Sequence, residues 1–169
     1  MSLQEDFSKE RGWRKTPDTI AYGSDVERAL FGNASLARGE KDAGYMPFEQ
    51  ALEFAKKHQP NLLARSRTVK DLRMKVAALC SDTTVPVKFF TAVGTPLDTF
   101  HGVDAFFEQG GRIATIDVSL REKEAVKADV LLLASFGKEG EAVVSEEEVL
   151  SAARKIAERL NARHLSRAA

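Results

Sequence analysis

Apolar positions follow a helical period in the first half of the chain and at its end, and a strand period in between. The helical spacing predicts helices over residues 47–57, 66–80 and 145–162. Pro47 suits a first helical turn, and Ser145 followed by Glu148 forms a capping box. A cap-like Ser24 and a terminating Gly32 predict a shorter helix near the N-terminus. We expect the longer helices to cover a central sheet.

Runs rich in β-branched and aromatic residues predict strands over residues 85–93, 102–108, 113–120 and 128–134. Gly110 and Gly111 separate the second run from the third and favour a two-residue hairpin loop, which pairs Gln109 with Arg112. A three-residue loop would shift this register by one position and send opposed side chains to opposite faces. Residues 94–98 have the composition of a turn.

Two acidic residues, Asp104 and Asp117, lie directly opposite each other in the register that the two-residue loop sets. Like charges opposed on one face of a sheet repel, so they call for a cation, a shared proton or strong solvent exposure. A divalent metal ion would satisfy both carboxylates. The alternative is an amphipathic hairpin with an ordinary wet face. We favour the metal site.

The order of the elements predicts an α/β fold, with a mixed β-sheet flanked by helices. We place an N-terminal extension at residues 1–44, because its apolar residues are isolated, and a single α/β domain at residues 45–169. The length of 169 residues suffices for one domain with a core of its own.

Formal net charge is zero, from 25 basic and 25 acidic residues, so composition gives no overall tendency to bind nucleic acid. A local tendency exists over residues 56–75, which hold seven basic residues and the single acid Asp71. Five of the basic residues are candidates for phosphate contacts: Arg65, Arg67, Lys70, Arg73 and Lys75. The alternative is a solvated helix face, since Lys and Arg decorate most exposed helices.

A single cysteine, Cys80, excludes an internal disulfide, and no Cys/His spacing matches a zinc site. No segment has the pattern of a signal peptide or the length of an apolar membrane span. We therefore expect a cytoplasmic protein that does not contact membranes. The sequence leaves a homodimer open.

The arrangement of one helix, a β-meander and a further strand over residues 66–136 resembles the PD-(D/E)xK nuclease superfamily. The segment 102–108 is similar to the strand that carries the first metal-binding Asp of this family, and Ile116-Asp117-Val118-Ser119 is similar to its (D/E)xK strand. The resemblance implies a restriction-endonuclease-like core. It also implies a Mg²⁺- or Mn²⁺-dependent endonuclease-like hydrolase that cleaves phosphodiester bonds, with DNA ahead of RNA as the substrate.

The same resemblance implies roles for individual residues. Asp104 and Asp117 would be catalytic metal ligands, and the carbonyl of Val118 would be a third ligand. Glu108, four residues along the same face, would be an outer or a second-metal ligand. Ser119 stands where the family has its Lys. Substitute cations follow on the chain: Arg121, Lys123 and Lys127, the two lysines being the catalytic candidates. The competing hypothesis is a catalytically inactive, nuclease-like scaffold that binds nucleic acid or protein, and Ser119 is its best support.

Overall fold

The computed structural model describes residues 23–61 and 66–162. The helices are α1 (Gly23–Phe31), α2 (Phe48–Lys57), α3 (Arg67–Leu79), α4 (Pro96–His101) and α5 (Glu146–Asn161), and a 3₁₀ turn spans Arg38–Glu40. The strands are β1 (Lys88–Thr91), β2 (Ala105–Gln109), β3 (Arg112–Ser119), β4 (Val130–Leu133), β5 (Ser135–Phe136) and β6 (Ala142–Val143). In the described part of the chain, no helix is long and apolar enough to cross a membrane.

Strands β1 to β4 form a four-stranded sheet in sequence order. The first three pair antiparallel, and β4 pairs parallel to β3, so the predicted mixed sheet in an α/β fold is confirmed. Strands β2 and β3 pair Gln109 with Arg112 and Ala105 with Ile116. The predicted two-residue hairpin loop is therefore confirmed. Gly110 and Gly111 have φ angles of 57° and 81°, which this tight turn requires and L side chains rarely adopt.

One face of the sheet is covered by α3 and α5, as the sequence predicted. These helices pack against each other and enclose the largest apolar cluster, to which β2 contributes Ala105 and Phe107. Helix α1 joins the same cluster through Val26, Leu30 and Phe31. The shorter helix predicted at residues 24–32 is thus present and supplies core residues. Whether residues 1–44 form a separate extension stays a prediction.

Helices α2 and α4 cover the opposite face of the sheet. Leu52 of α2 and Leu97 of α4 pack against Phe106 of β2, in a second apolar cluster. Side chains alternate along a strand, so Phe106 shares its face with Asp104, while Ala105 and Phe107 point to the other side. The two candidate carboxylates therefore lie on the face that α2 and α4 cover.

One connection differs from the predicted pattern. Residues 94–98 were expected to form a turn, but Thr95 and Pro96 begin helix α4, because Pro at the first helical position is already fixed near the helical φ angle. The segment 120–129, which crosses from β3 to the parallel strand β4, contains no helix. At its end, Asp129 Oδ2 accepts hydrogen bonds from the Thr115 amide and hydroxyl at 2.9 and 3.0 Å. These two hydrogen bonds satisfy the Thr115 amide and hydroxyl, one residue before the pairing of β3 with β4 begins at Ile116.

Candidate metal centre

Asp104 and Asp117 lie where β2 begins and β3 ends. The Asp104 amide donates to the Ile116 carbonyl at 2.8 Å, and Asp104 Oδ2 accepts the Val118 amide at 2.8 Å. The Asp104 carboxylate thus takes the place of a backbone partner at the end of the hairpin. Asp104 is 2% exposed and Asp117 9% exposed. Solvent exposure therefore does not relieve the repulsion that their opposition creates.

Two further carboxylates reach Asp104 from separate helices. Glu27 of α1, Asp98 of α4 and Asp104 each place one carboxylate oxygen within 4.8 Å of the other two. Glu27 is positioned because its neighbour Val26 packs into the core and orients α1. Asp98 lies in the first turn of α4, where its Oδ2 accepts the Gly94 amide at 2.9 Å. We call Glu27, Asp98, Asp104 and Asp117 the acidic cluster.

A single basic side chain of the β3–β4 crossover contacts the acidic cluster. Lys123 Nζ lies 2.7 Å from Asp117 Oδ2. Lys123 is four residues beyond Ser119, so the crossover turns back to bring its amine to the end of β3. The ion pair offsets part of the negative charge at Asp117.

Burial and neighbouring negative charge raise the pKa of three carboxyl groups in the acidic cluster. Burial raises the pKa of Asp104 to about 9, and the negative charges of Glu27 and Asp117 act in the same direction, against the Val118 hydrogen bond. Burial, with the charges of Asp98 and Asp117, raises the pKa of Glu27 to about 7. Burial also raises the pKa of Asp98. Near neutral pH the acidic cluster thus retains protons that a bound cation would displace.

The donor set fits a hard divalent cation. Mg²⁺ and Mn²⁺ prefer oxygen ligands, and the acidic cluster offers carboxylate oxygens from several segments of the chain with no sulfur or imidazole among them. Such a cation would neutralise carboxylates whose burial disfavours their charge. Glu27, Asp98 and Asp104 could hold it directly, with Asp117 beside them.

The other residues implied as ligands lie at different distances from the acidic cluster. The amide of Val118 contacts Asp104, so its backbone borders the site. Glu108 lies at the opposite end of β2, about 13 Å from Asp104 at the usual rise of a strand, and pairs with Lys56. The structure therefore does not bring Glu108 into the acidic cluster.

The basic residues of the crossover also separate. The Lys127 side chain lies over Gly102, where an added Cβ would meet its Cδ at 3.4 Å. The Arg121 amide donates to the Ser119 hydroxyl at 3.3 Å, and the Arg121 side chain is exposed. Of the three substitute cations, Lys123 is the one that contacts a cluster carboxylate. A catalytic role for Lys123 or Lys127 stays a prediction.

The predicted nucleic-acid contacts lie mostly on α3. Arg65 falls outside the described residues. Arg67, Lys70 and Lys75 line a cavity of about 460 Å³ together with Glu146 of α5. This cavity is formed by the two helices that cover one face of the sheet, whereas the candidate carboxylates lie on the other face.

Arg73, the remaining basic candidate, has a structural partner. Its Nε donates to the Val87 carbonyl at 3.0 Å, which ties α3 to the segment before β1. The binding of nucleic acid by the basic residues of α3 stays a prediction.

Sequence reasoning did not assign Glu27 or Asp98 to the site. Glu27 is remote from Asp104 along the chain, and nothing in its local pattern separates it from a solvated helical acid. Asp98 lies in the segment 94–98, where an acidic residue after Pro96 has an ordinary explanation as turn chemistry. The signal available was weak: Glu27 directly follows the core residue Val26, on a helix that must pack closely.

Comparisons with protein-family models, curated proteins and solved structures gave no match for the chain.

Proposed function

We propose that the protein is a metal-dependent nuclease that hydrolyses phosphodiester bonds with Mg²⁺ or Mn²⁺, DNA being the expected substrate ahead of RNA. The observation that carries this proposal is the convergence of Glu27, Asp98 and Asp104 within 4.8 Å, beside Asp117 and its 2.7 Å contact with Lys123. Buried carboxylates next to a single amine are the groups that metal-assisted phosphodiester hydrolysis needs.

Each group has a chemical part in this proposal. A bound divalent metal would polarise a phosphoryl oxygen and lower the pKa of an attacking water. Asp104 and Asp117 hold the site in place through the hairpin, and Glu27 and Asp98 close it from α1 and α4. The Lys123 amine is placed to orient a water or to offset negative charge that develops on the phosphate.

We also propose that the fold is a restriction-endonuclease-like core. The support is the mixed sheet, with its antiparallel meander β1–β3, one Asp at the start of β2, a second acid late on β3 and the parallel strand β4. Ser119 occupies the position of the family Lys. In our proposal Lys123 replaces it, since its amine reaches Asp117 from the crossover.

The competing hypothesis is an inactive scaffold that keeps the sheet but binds no metal. Its support is still Ser119, because a degenerate motif is what loss of catalysis would leave. The two hypotheses differ in a measurable property, namely the affinity of the wild-type protein for Mg²⁺ and Mn²⁺.

Calorimetric titration with Mg²⁺ and Mn²⁺ tests the proposal, followed by cleavage of plasmid and single-stranded DNA by the same proteins. The variants are Asp104→Asn and Asp117→Asn, which keep side-chain shape, and the control is Asp129→Asn. Asp129 directly precedes β4 and bonds Thr115 outside the acidic cluster. We expect metal affinity to fall about tenfold or more and cleavage to fall by about 10² or more in both cluster variants.

The control variant should bind metal and cleave DNA as the wild type does. If the wild-type protein binds neither metal, or if the cluster variants cleave as fast as the wild type, the nuclease proposal is wrong. Binding of metal without any cleavage would leave the inactive scaffold as the better hypothesis.

A further inference from the structure

A cleft of about 520 Å³ opens on the surface formed by the end of α1, the loop that follows it and the loop between β1 and α4. Its polar lining comes from Arg28, Asn33, Ser35 and Lys41, and Gly94 lies at one side. The side chains of Arg28 and Lys41 are exposed. No acidic side chain is part of this lining within the described ranges.

The cleft adjoins the acidic cluster through two segments of the chain. Gly94 lines the cleft, and its amide donates to Asp98 Oδ2 at 2.9 Å. Arg28 directly follows Glu27 on α1. The cleft therefore borders the acidic cluster at Gly94, whose amide contacts Asp98, and an extended ligand could continue from the cleft toward that carboxylate.

The charges of the cleft are available to a ligand. Arg28 contacts Asp25 at 3.6 Å, but the two side chains are 57% and 39% exposed, and a pair so open to solvent is weak. Across residues 23–61 and 66–162, Lys41 forms no ion pair within 4.0 Å. The cations of Arg28 and Lys41, the side-chain amide of Asn33 and the hydroxyl of Ser35 are all hydrogen-bond donors. Such a surface suits phosphate oxygens, which accept hydrogen bonds from all four groups.

We propose that this cleft binds the phosphate backbone of one nucleic-acid strand and thereby leads a phosphodiester bond to the acidic cluster. That the bond is then cleaved rests on the proposed function, whereas binding in the cleft is measured without it. The cleft is favoured over the basic residues of α3, because Gly94 of its lining donates a hydrogen bond to Asp98 of the acidic cluster.

The test is fluorescence anisotropy with a labelled single-stranded DNA and the matching duplex, in EDTA, so that a metal-dependent nuclease cannot cleave the probe. The variant Arg28→Ala/Lys41→Ala is compared with the wild type and with Arg67→Ala/Lys70→Ala on α3. The two double variants remove the same charge from exposed positions. Thermal melting checks that each variant folds.

For the cleft variant we expect affinity to fall about tenfold at low salt, for all sequences alike. The slope of log K against log salt for the single strand should fall by about 1.4, since each lost phosphate contact removes about 0.7. The α3 variant should bind like the wild type. A cleft variant that binds as the wild type does, or an α3 variant that loses as much affinity, would overturn the assignment of the cleft.

Calorimetry and cleavage with the same proteins separate this inference from the proposed function. If the wild type binds metal and cleaves DNA while the cleft variant does so equally well, the cleft has no role and the nuclease proposal stands. If the cleft variant loses DNA affinity but the wild type neither binds metal nor cleaves, the cleft binds nucleic acid and the nuclease proposal is wrong.

Discussion

Lys123 is the residue on which the chemistry of the proposed site most depends. The chain has Ser119 where the resembled family has Lys, and Ser119 is 7% exposed and carries no charge. The amine at the site comes instead from the crossover, four residues later, with Nζ 2.7 Å from Asp117 Oδ2. A charge stabilises the transition state through its position relative to the reacting phosphate, so an amine from another position in the sequence can serve equally well.

Replacement of Lys123 by Met should therefore lower the rate of cleavage by about 10²-fold or more, with little change in metal affinity. The same replacement at Lys127 is the matched control, because Lys127 belongs to the same crossover but lies over Gly102. Single-turnover cleavage and calorimetry measure the two properties separately. Equal losses for Lys123→Met and Lys127→Met, or unchanged cleavage by Lys123→Met, would show that the Lys123 amine has no special part.

At the scale of the residue, sequence predicted the pair that a local rule places together and missed the residues that only tertiary packing brings in. Counting from the Gly110-Gly111 loop places Asp104 opposite Asp117, and the observed pairing of β2 with β3 follows this register as far as Ala105 and Ile116. Glu27 reaches Asp104 because α1 packs against the sheet, and no counting rule joins positions so far apart along the chain. The polar residues of the cleft, such as Lys41, were missed for the same reason.

Among the elements, the β2–β3 hairpin controls the geometry of the site. A slip of one residue would move Asp117 to the face that α3 and α5 cover and break the acidic cluster. The loop resists such a slip, because Gly110 and Gly111 have positive φ angles, 57° and 81°, that match the twist of the two strands.

Substitution of Gly111 by Ala should destabilise the protein by about 1–2 kcal/mol, since a Cβ is strained at positive φ. Gly110→Asn should lie within about 0.5 kcal/mol of the wild type, because Asn is favoured at the first position of this turn. At Gly110 an added Cβ would meet the Val85 Cγ1 at an ordinary 3.8 Å. Urea unfolding measures both. If Gly111→Ala is as stable as Gly110→Asn, the loop does not have the geometry described.

The predicted elements that were right are those with a complete local signal. Helix α5 is capped by Ser145, as predicted, since the Ser145 hydroxyl accepts the Glu148 amide. Helix α3 is capped in the same way by Ser66, whose hydroxyl accepts the Val69 amide. Helix α4 was predicted as a turn, because Thr95 and Pro96 open a short helix and a turn equally well.

In the molecule as a whole, the carboxylates that the proposed metal site needs lower the stability of the fold. Asp104 and Asp117 are buried in a domain whose core would be better served by neutral side chains, and α1 adds Glu27 to them. The folded state answers by retaining protons: burial raises the pKa of Glu27 to about 7 and that of Asp104 to about 9. Metal-free protein therefore gains stability from protons, whereas metal binding requires their release.

The sign of the pH dependence follows from these values. The carboxyl groups of Glu27 and Asp104 have a higher pKa in the folded protein than in the unfolded chain. At a pH between the unfolded and the folded pKa of each group, the folded state therefore binds more protons than the unfolded state. Their contribution is full at acid pH and is lost as pH rises through about 7 for Glu27 and about 9 for Asp104. Each proton of difference contributes a slope of up to about 1.4 kcal/mol per pH unit.

We therefore expect the free energy of unfolding in EDTA to fall between about pH 5 and about pH 9, and the double variant Glu27→Gln/Asp104→Asn to remove most of that fall. His58 acts in the same direction, since its hydrogen bond to the Phe54 carbonyl, with Glu40, raises the pKa of its imidazole. His58 is present in both proteins, so its contribution cancels in the difference between their free energies of unfolding. Urea unfolding at several pH values provides the measurement.

Added Mg²⁺ or Mn²⁺ should reverse the trend in the wild type, because the affinity of the acidic cluster for a cation rises as its carboxyl groups lose their protons. The stabilisation by metal should therefore be smallest near pH 5 and grow toward alkaline pH, and Glu27→Gln/Asp104→Asn should show little of it. A metal-free wild type whose stability follows that of the variant at every pH would mean that the buried carboxyl groups do not hold protons in the folded state. The acidic cluster would then need a permanent cation rather than an exchangeable one.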